Sequence, residues 1–255
     1  MPTIYLSPST QEYNLFVNGG SEEQHMNEIV DAMIPYLQRY GIEFSRNTPD
    51  MTAGSSIAAS NAGNYDFHLA IHSNASNPAN AGQNRGPIMY YYPSSVEGQR
   101  MAEIIRQNFT GIYPLPELVR TMAITTLGEV SRTRAPSVLV EVAFHDNWAD
   151  ANWIVNNTEQ IAAALANSLA QYFGIPVSGG SPPSTPSTPN GRTMGRVVLN
   201  SGYLNIRNGP SLSNPVIGMA PNGATVEIIQ RVGDWYQINY NNINGYVFGQ
   251  YIRII

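Results

Sequence analysis

The stretch Ser137-Val138-Leu139-Val140-Glu141-Val142-Ala143-Phe144 is apolar at nearly every position, with one carboxylate in its middle. A strand that alternates apolar and polar residues has one wet face, whereas a run like this one belongs to a strand covered on both. That reading requires helices on two sides of a sheet. The flanking chain supplies both kinds of element. Strand signals fall at Thr3 to Leu6, Ile42 to Ser45, Phe67 to Ile71 and Pro87 to Tyr92. A Gly19-Gly20 turn precedes Ser21, an N-cap candidate with Gln24 three residues on, as in a capping box. Met26, Ile29, Met33 and Leu37 then recur at helical spacing up to Gly41, with Pro35 expected to kink or shorten the helix. Further helices are expected at about Ser95 to Phe109 and Thr158 to Phe173. The fold class is therefore α/β, a mixed and mainly parallel sheet flanked by helices.

From Ser178 to Thr193 the chain reads SGGSPPSTPSTPNGRT, with nothing apolar to bury. Such a segment acts as a semi-stiff tether. Beyond it come short β-rich pieces at Arg196 to Asn200, Thr225 to Arg231, Trp235 to Tyr240 and Gly245 to Phe248. Asn222-Gly223 and Asn244-Gly245 are the strongest turn signals. Three regions are expected: a large domain over 1–177, a linker over 178–193 and a small all-β barrel over 194–255.

Composition narrows the chemistry. The 255 residues are 42% hydrophobic and 12% charged, enough to bury a core. A net charge of −5 with 13 Lys plus Arg leaves no basic stripe to displace counterions, so no nucleic-acid partner is expected. No apolar run approaches the roughly 18 residues that span a bilayer. The first residues also lack a basic leader region, so no membrane insertion and no signal peptide are expected. The protein is expected to be cytosolic, exported without a cleaved leader, or released by lysis. With no cysteine, thiol nucleophiles and thiolate-bound metals are excluded. Catalysis must use Ser, His, carboxylates or a metal on N and O ligands.

Two residues stand out. His72 follows a strand in Ala70-Ile71-His72-Ser73-Asn74, at the carboxyl end where ligands of open α/β sheets gather. Glu141 is a carboxylate inside an apolar strand and needs a partner. Together they suggest a metal-assisted hydrolase, with His72 on the metal and Glu141 as base. A hydrogen-bonded loop histidine and a strand-end glutamate reaching solvent remain the alternative at this point.

The strings Phe67-His68-Leu69-Ala70-Ile71-His72-Ser73-Asn74-Ala75 and Ala135-Pro136-Ser137 through His145-Asp146-Asn147 resemble the two strand-end motifs of zinc-dependent N-acetylmuramoyl-L-alanine amidases of type 3. The likeness extends over about Thr3 to Val177. It implies a peptidoglycan hydrolase that cleaves the amide between N-acetylmuramic acid and L-alanine, with Zn2+ as cofactor and an endolysin-like role. It also implies His72 as a zinc ligand, Glu141 as the catalytic base, and a second ligand at Glu22 or Glu23. Glu22 shares the inward helix face with Ile29, Met33 and Leu37, while Glu23 points about 100° away. The family's other zinc histidine has no counterpart, because Thr10 stands in its place in Ser7-Pro8-Ser9-Thr10-Gln11. His145 is the preferred substitute, His25, three residues past Glu22, is another, and a site with no third protein ligand is the remaining alternative. His68 lies deeper on the strand and reads as a satisfied core histidine. Asn74, Arg85 and Glu129 are candidates to orient substrate.

The second region resembles bacterial SH3-like domains through Leu204-Asn205-Ile206-Arg207-Asn208-Gly209-Pro210, Asp234-Trp235-Tyr236 and Asn244-Gly245-Tyr246-Val247. This implies wall binding, with Tyr203, Arg207, Trp235 and Tyr246 as contact candidates; Trp235 and Tyr246 could instead pack the barrel. A catalytically inactive wall-binding protein that has lost its metal is the alternative function.

Overall fold

The computed structural model describes residues 1–177, 193–199, 202–212, 214–232, 234–241 and 243–255. The chain divides into two compact units, 1–182 and 183–255. The expected linker falls at 178–192, outside the described residues, and Thr193, the last residue of that stretch, opens a strand.

In the first unit the order is β1 (Thr3–Pro8), α1 (Glu22–Tyr40), β2 (Glu43–Arg46), α2 (Ala53–Ala62), β3 (Phe67–Asn74), β4 (Ile88–Tyr91) and α3 (Val96–Thr110). β5 (Arg120–Ala123), α4 (Gly128–Ser131), β6 (Ser137–Phe144), α5 (Trp148–Asn156) and α6 (Thr158–Tyr172) follow. The strands form one sheet in the order β2-β1-β3-β6-β4-β5. Every pairing is parallel except β4 with β6. The mixed, mainly parallel α/β architecture is as the apolar run of β6 requires.

The two faces of this sheet differ. Ile4 and Leu6, Leu69 and Ile71, and Val138, Val140 and Val142 join the main core, which includes residues of α1, α3, α5 and α6. The alternate residues form the opposite face. There Ala70 and Leu139 pack with Val130 of α4 in a much smaller apolar cluster. Around that cluster the same face carries Tyr5, Ser7, His68, His72 and Glu141. β6 is thus apolar on both sides, and Glu141 stands on its thinner, more polar side by strand parity.

α1 begins at Ser21, whose side chain accepts from Gln24 N, and ends at Gly41 in the left-handed region with φ of 64°. Pro35 neither breaks nor shortens it. The proline is exposed, so the carbonyl it frees can be solvated, while Met26, Ile29, Val30, Met33, Tyr36 and Leu37 are buried. Burying six such side chains, at roughly 1.5–3 kcal/mol each, outweighs the ~3 kcal/mol that a helical proline costs.

The second unit is a seven-stranded antiparallel sheet. Its strands are β7 (Thr193–Val197), β8 (Tyr203–Arg207), β9 (Val216–Pro221), β10 (Thr225–Val232), β11 (Trp235–Tyr240), β12 (Ile243–Phe248) and β13 (Ile252–Ile254). Val197, Ile206, Val226, Ile238 and Val247 are at its centre. Gly223 turns with φ of 81°, as Asn222-Gly223 suggests. Asn244-Gly245 does not turn. It lies inside β12, and the positive φ of 49° belongs to Asn241. Gly245 is required for a different reason: a Cβ there would stand 2.5 Å from Ile206 Cγ2 and 2.7 Å from the Arg207 carbonyl oxygen.

Candidate active site

Parallel pairing places His72 directly opposite Glu141 at the carboxyl ends of β3 and β6. Just beyond them the register shifts, so that Asn74 faces Phe144. Glu22, the first residue of α1, reaches this rung and its Oε1 lies 2.9 Å from His72 Nδ1. Glu22 is 1% exposed, whereas the neighbouring Glu23 is only partly buried and lines the cleft described below.

Glu22 is held from several sides. Asn14 Nδ2 donates to its Oε2 at 2.7 Å and Ser73 N to its Oε1 at 3.3 Å. Burial opposes its ionisation, but the bonds from His72, Asn14 and Ser9 hold its carboxyl below the usual range. Burial likewise opposes charging of His72. The bond and charge of Glu22, helped by Glu141 and Glu129, outweigh burial and raise the imidazole. Both shifts favour the charged forms of the two side chains.

Glu141 is different. Its Oε2 is enclosed and has no hydrogen-bond partner. Burial, tempered by His72 and reinforced by Glu22, pushes its carboxyl up to about 7. Tyr90 on β4 stands near enough that burial, followed by the Glu141 charge, raises its phenol.

The other histidines are held elsewhere. His25 Nε2 meets the Gly19 carbonyl at 2.9 Å and its Nδ1 meets Glu28 at 2.9 Å. His145 Nδ1 lies 3.1 Å from the Ser73 carbonyl and 3.0 Å from Ser73 Oγ, and its ring stacks on Phe16 at 5.4 Å. The register shift after Glu141 adds one residue to β6 and reverses its strand parity before His145. His145 thus connects to Glu22 through Ser73. Among the described residues no group of three or more His, Asp or Glu side chains is arranged to hold a metal.

Deeper on the same face lies a second pair. His68 Nε2 is 2.6 Å from Glu129 Oε2, and His68 Nδ1 is 2.9 Å from Ser60 Oγ. Ser7 Oγ donates to Glu129 Oε1 at 3.0 Å. His68 is the satisfied core histidine that its position suggests.

A cleft of about 760 Å³ opens over the site, with His72 and Glu129 among its lining. Thr10, Gln11 and Tyr13 lie along it from the loop after β1, and Asn47, Asp50 and Thr52 from the segment after β2. Sequence reading passed over Gln11 and Asn14, although amides in the loop that follows the first strand of an α/β sheet are well placed to matter.

Arg85 Nε bonds Asp150 at 3.1 Å, and Asp150 also accepts from Tyr113, Gly86 N and Phe144 N. Arg85 therefore braces the end of β6. Asn74 Oδ1 accepts from Ala75 N. In the second unit Tyr203 is 66% exposed, while Trp235 is 8% exposed and packs edge-on against Phe248. Arg207 Nη1 donates to the Asn214 carbonyl.

Residues 202–253 match the bacterial SH3 domain, and residues 10–171 match the N-acetylmuramoyl-L-alanine amidase family. The structure of the amidase AmiC2 of Nostoc punctiforme superposes with a TM-score of 0.60 at 16% identity, over 68% of this chain and 97% of that one. The catalytic domain of the CD27L endolysin targeting Clostridia difficile gives 0.56 at 18%, over 67% and 98%. Cwp6 from Clostridium difficile gives 0.55 at 22%, over 68% and 29%. At these identities the likeness establishes a shared fold. Bacteriocin BCN5 of Clostridium perfringens is 32% identical over 91 residues, which is 36% of this chain and only 10% of that protein. By the extent of the match over 10–171, the chain belongs to the N-acetylmuramoyl-L-alanine amidase family.

Proposed function

We propose that the protein hydrolyses peptidoglycan at the amide between N-acetylmuramic acid and L-alanine, using zinc held by Glu22 and His72. The observation that carries this reading is the opposition of His72 and Glu141, with Glu22 on the same rung, in a chain of this family.

The donor set fits the ion in part. Glu22 and His72 offer a carboxylate oxygen and an imidazole nitrogen, both ligands that zinc accepts, and an enclosed carboxylate oxygen without a partner stands across the sheet. Bound there, zinc would supply Lewis acidity, polarising the scissile carbonyl and bringing the pKa of water toward neutrality. Glu141 accepts the proton of the attacking water. Its lone oxygen is free to do so, and a carboxyl near neutrality is matched to the task. As the carbon–nitrogen bond breaks, Glu141 returns that proton to the departing amine of L-alanine, and the carboxylate is regenerated. Asn14 and Ser73 hold Glu22 in place. The SH3-like unit holds the enzyme on the wall polymer, with Tyr203 as its exposed contact, and raises the effective concentration on an insoluble substrate. A lytic role, as endolysin or lysis protein, suits this pairing of modules, and the partial likeness to a bacteriocin accords with it.

Mass spectrometry of muropeptides tests the bond. Native protein should release a free L-alanine amine with intact glycan, and Glu141→Gln should not. Reducing-sugar release would defeat the assignment. Thr10 favours a second reading, an inactive wall-binding protein. Metal analysis of the gently purified protein separates the two: near-stoichiometric zinc supports the enzyme, and its absence the binding module.

A further inference from the structure

We infer that Gln11 is the third protein ligand of the metal centre, donating its side-chain amide oxygen beside the position where Thr10 offers no imidazole. The inference rests on the zinc reading above.

Its first support is placement. Gln11 follows Thr10 on the loop after β1, lines the same cleft as His72, and brings its amide to 3.5 Å from His72 Nδ1. That nitrogen is the atom that meets Glu22. Among the described residues, no other side-chain amide lies within hydrogen-bond reach of the His72 ring. The second support is the placement of the other histidines: His25 is bonded on both ring nitrogens, and His145 directs its Nδ1 to Ser73 rather than to Glu22 or His72.

The third is a shared tether. Asn14 Nδ2 donates to both Glu22 Oε2 and Gln11 Oε1, at 2.7 and 3.0 Å, and so holds the Gln11 amide beside the Glu22 carboxylate. The amide oxygen is of a type divalent metals accept, and a half-turn of the amide that gives up its bond from Asn14 would bring Oε1 to the side of His72. Glu22, His72 and Gln11 would make three protein ligands, leaving a fourth position open as a catalytic zinc site needs.

The test is metal affinity, measured on full-length protein stripped of metal and titrated with Zn2+ against a chromophoric chelator. Visible absorption of the Co2+ form serves as a second readout. Gln11→Ala should weaken zinc binding at least tenfold and alter the cobalt bands, while Gln11→Glu should bind at least as tightly as wild type. A Gln11→Ala protein with wild-type affinity and an unchanged cobalt spectrum overturns the inference. A wild-type protein that takes up no zinc overturns the zinc reading itself, so the two failures are distinct. Should Gln11→Ala lose its cooperative melt, Gln11→Asn decides by the same criterion, because one methylene fewer withdraws the oxygen while the amide remains.

Discussion

β3 carries two histidines four residues apart on one face, each against a glutamate, and their surroundings give them opposite roles. His68 has both ring nitrogens occupied, by Ser60 and Glu129, and is wholly buried. His72 meets Glu22, lies on a cleft, and stands opposite a carboxylate whose buried oxygen has no partner. The chemical groups are the same. What separates a structural pair from a reactive one is whether the hydrogen-bonding capacity is used up. Saturation in a low-dielectric setting fixes a conformation, whereas an unused lone pair is available for chemistry and carries a cost in stability.

The strongest way to test that contrast is at the unsaturated end. Glu141→Gln should lower hydrolysis by about 10²–10⁴-fold, measured as muropeptide release, because a general base of this kind contributes that much. At the saturated end, Glu129→Ala leaves a buried His68 nitrogen without its partner and should cost about 1–3 kcal/mol in denaturant unfolding. Glu22→Ala should cost less stability, since His72 keeps access to the cleft, but should remove zinc binding. A Glu129→Ala protein as stable as wild type would break the comparison.

Acidity sharpens it further. Native Glu141 holds its proton up to about pH 7, whereas the unfolded chain releases it near 4.5. Between those values the folded state binds more protons, so the stability of the metal-free protein falls as pH rises through this window and then levels off. At pH 8, Glu141→Gln should therefore be more stable than wild type by about 3 kcal/mol, with the difference vanishing near pH 4. Equal stability of the two proteins at pH 8 would show that the carboxylate is well solvated. The smallest expected effect is Ser60→Ala, which removes one neutral bond to His68 and should cost about 1 kcal/mol without changing zinc affinity.

The SH3-like unit shows a related limit on sequence reading. Asn244-Gly245 has the composition of a hairpin turn and yet occupies a strand, because close approach to Ile206 and Arg207 also demands glycine. Both requirements select the same residue, and a local pattern does not separate them. α2 has the opposite problem. Its capping box between Thr52 and Ser55 is plain, but it buries Ser56, Ile57 and Ser60 rather than an apolar stripe, so periodicity passed over it.

The sequence by itself determined the α/β class through β6, the limits of α1 through Ser21 and Gly41, the inward position of Glu22 rather than Glu23 through helical spacing, and the prominence of His72 and Glu141. These follow from periodicity and from the cost of burying a carboxylate, both of which are local and cumulative. Tertiary structure decided the rest. The shift of register beyond His72 sent His145 to Ser73, packing carried α1 through Pro35, and the loop after β1 folded Gln11 and Asn14 onto the Glu22–His72 pair. Each depends on which segments meet across the sheet, and spacing along one strand or helix holds no record of that.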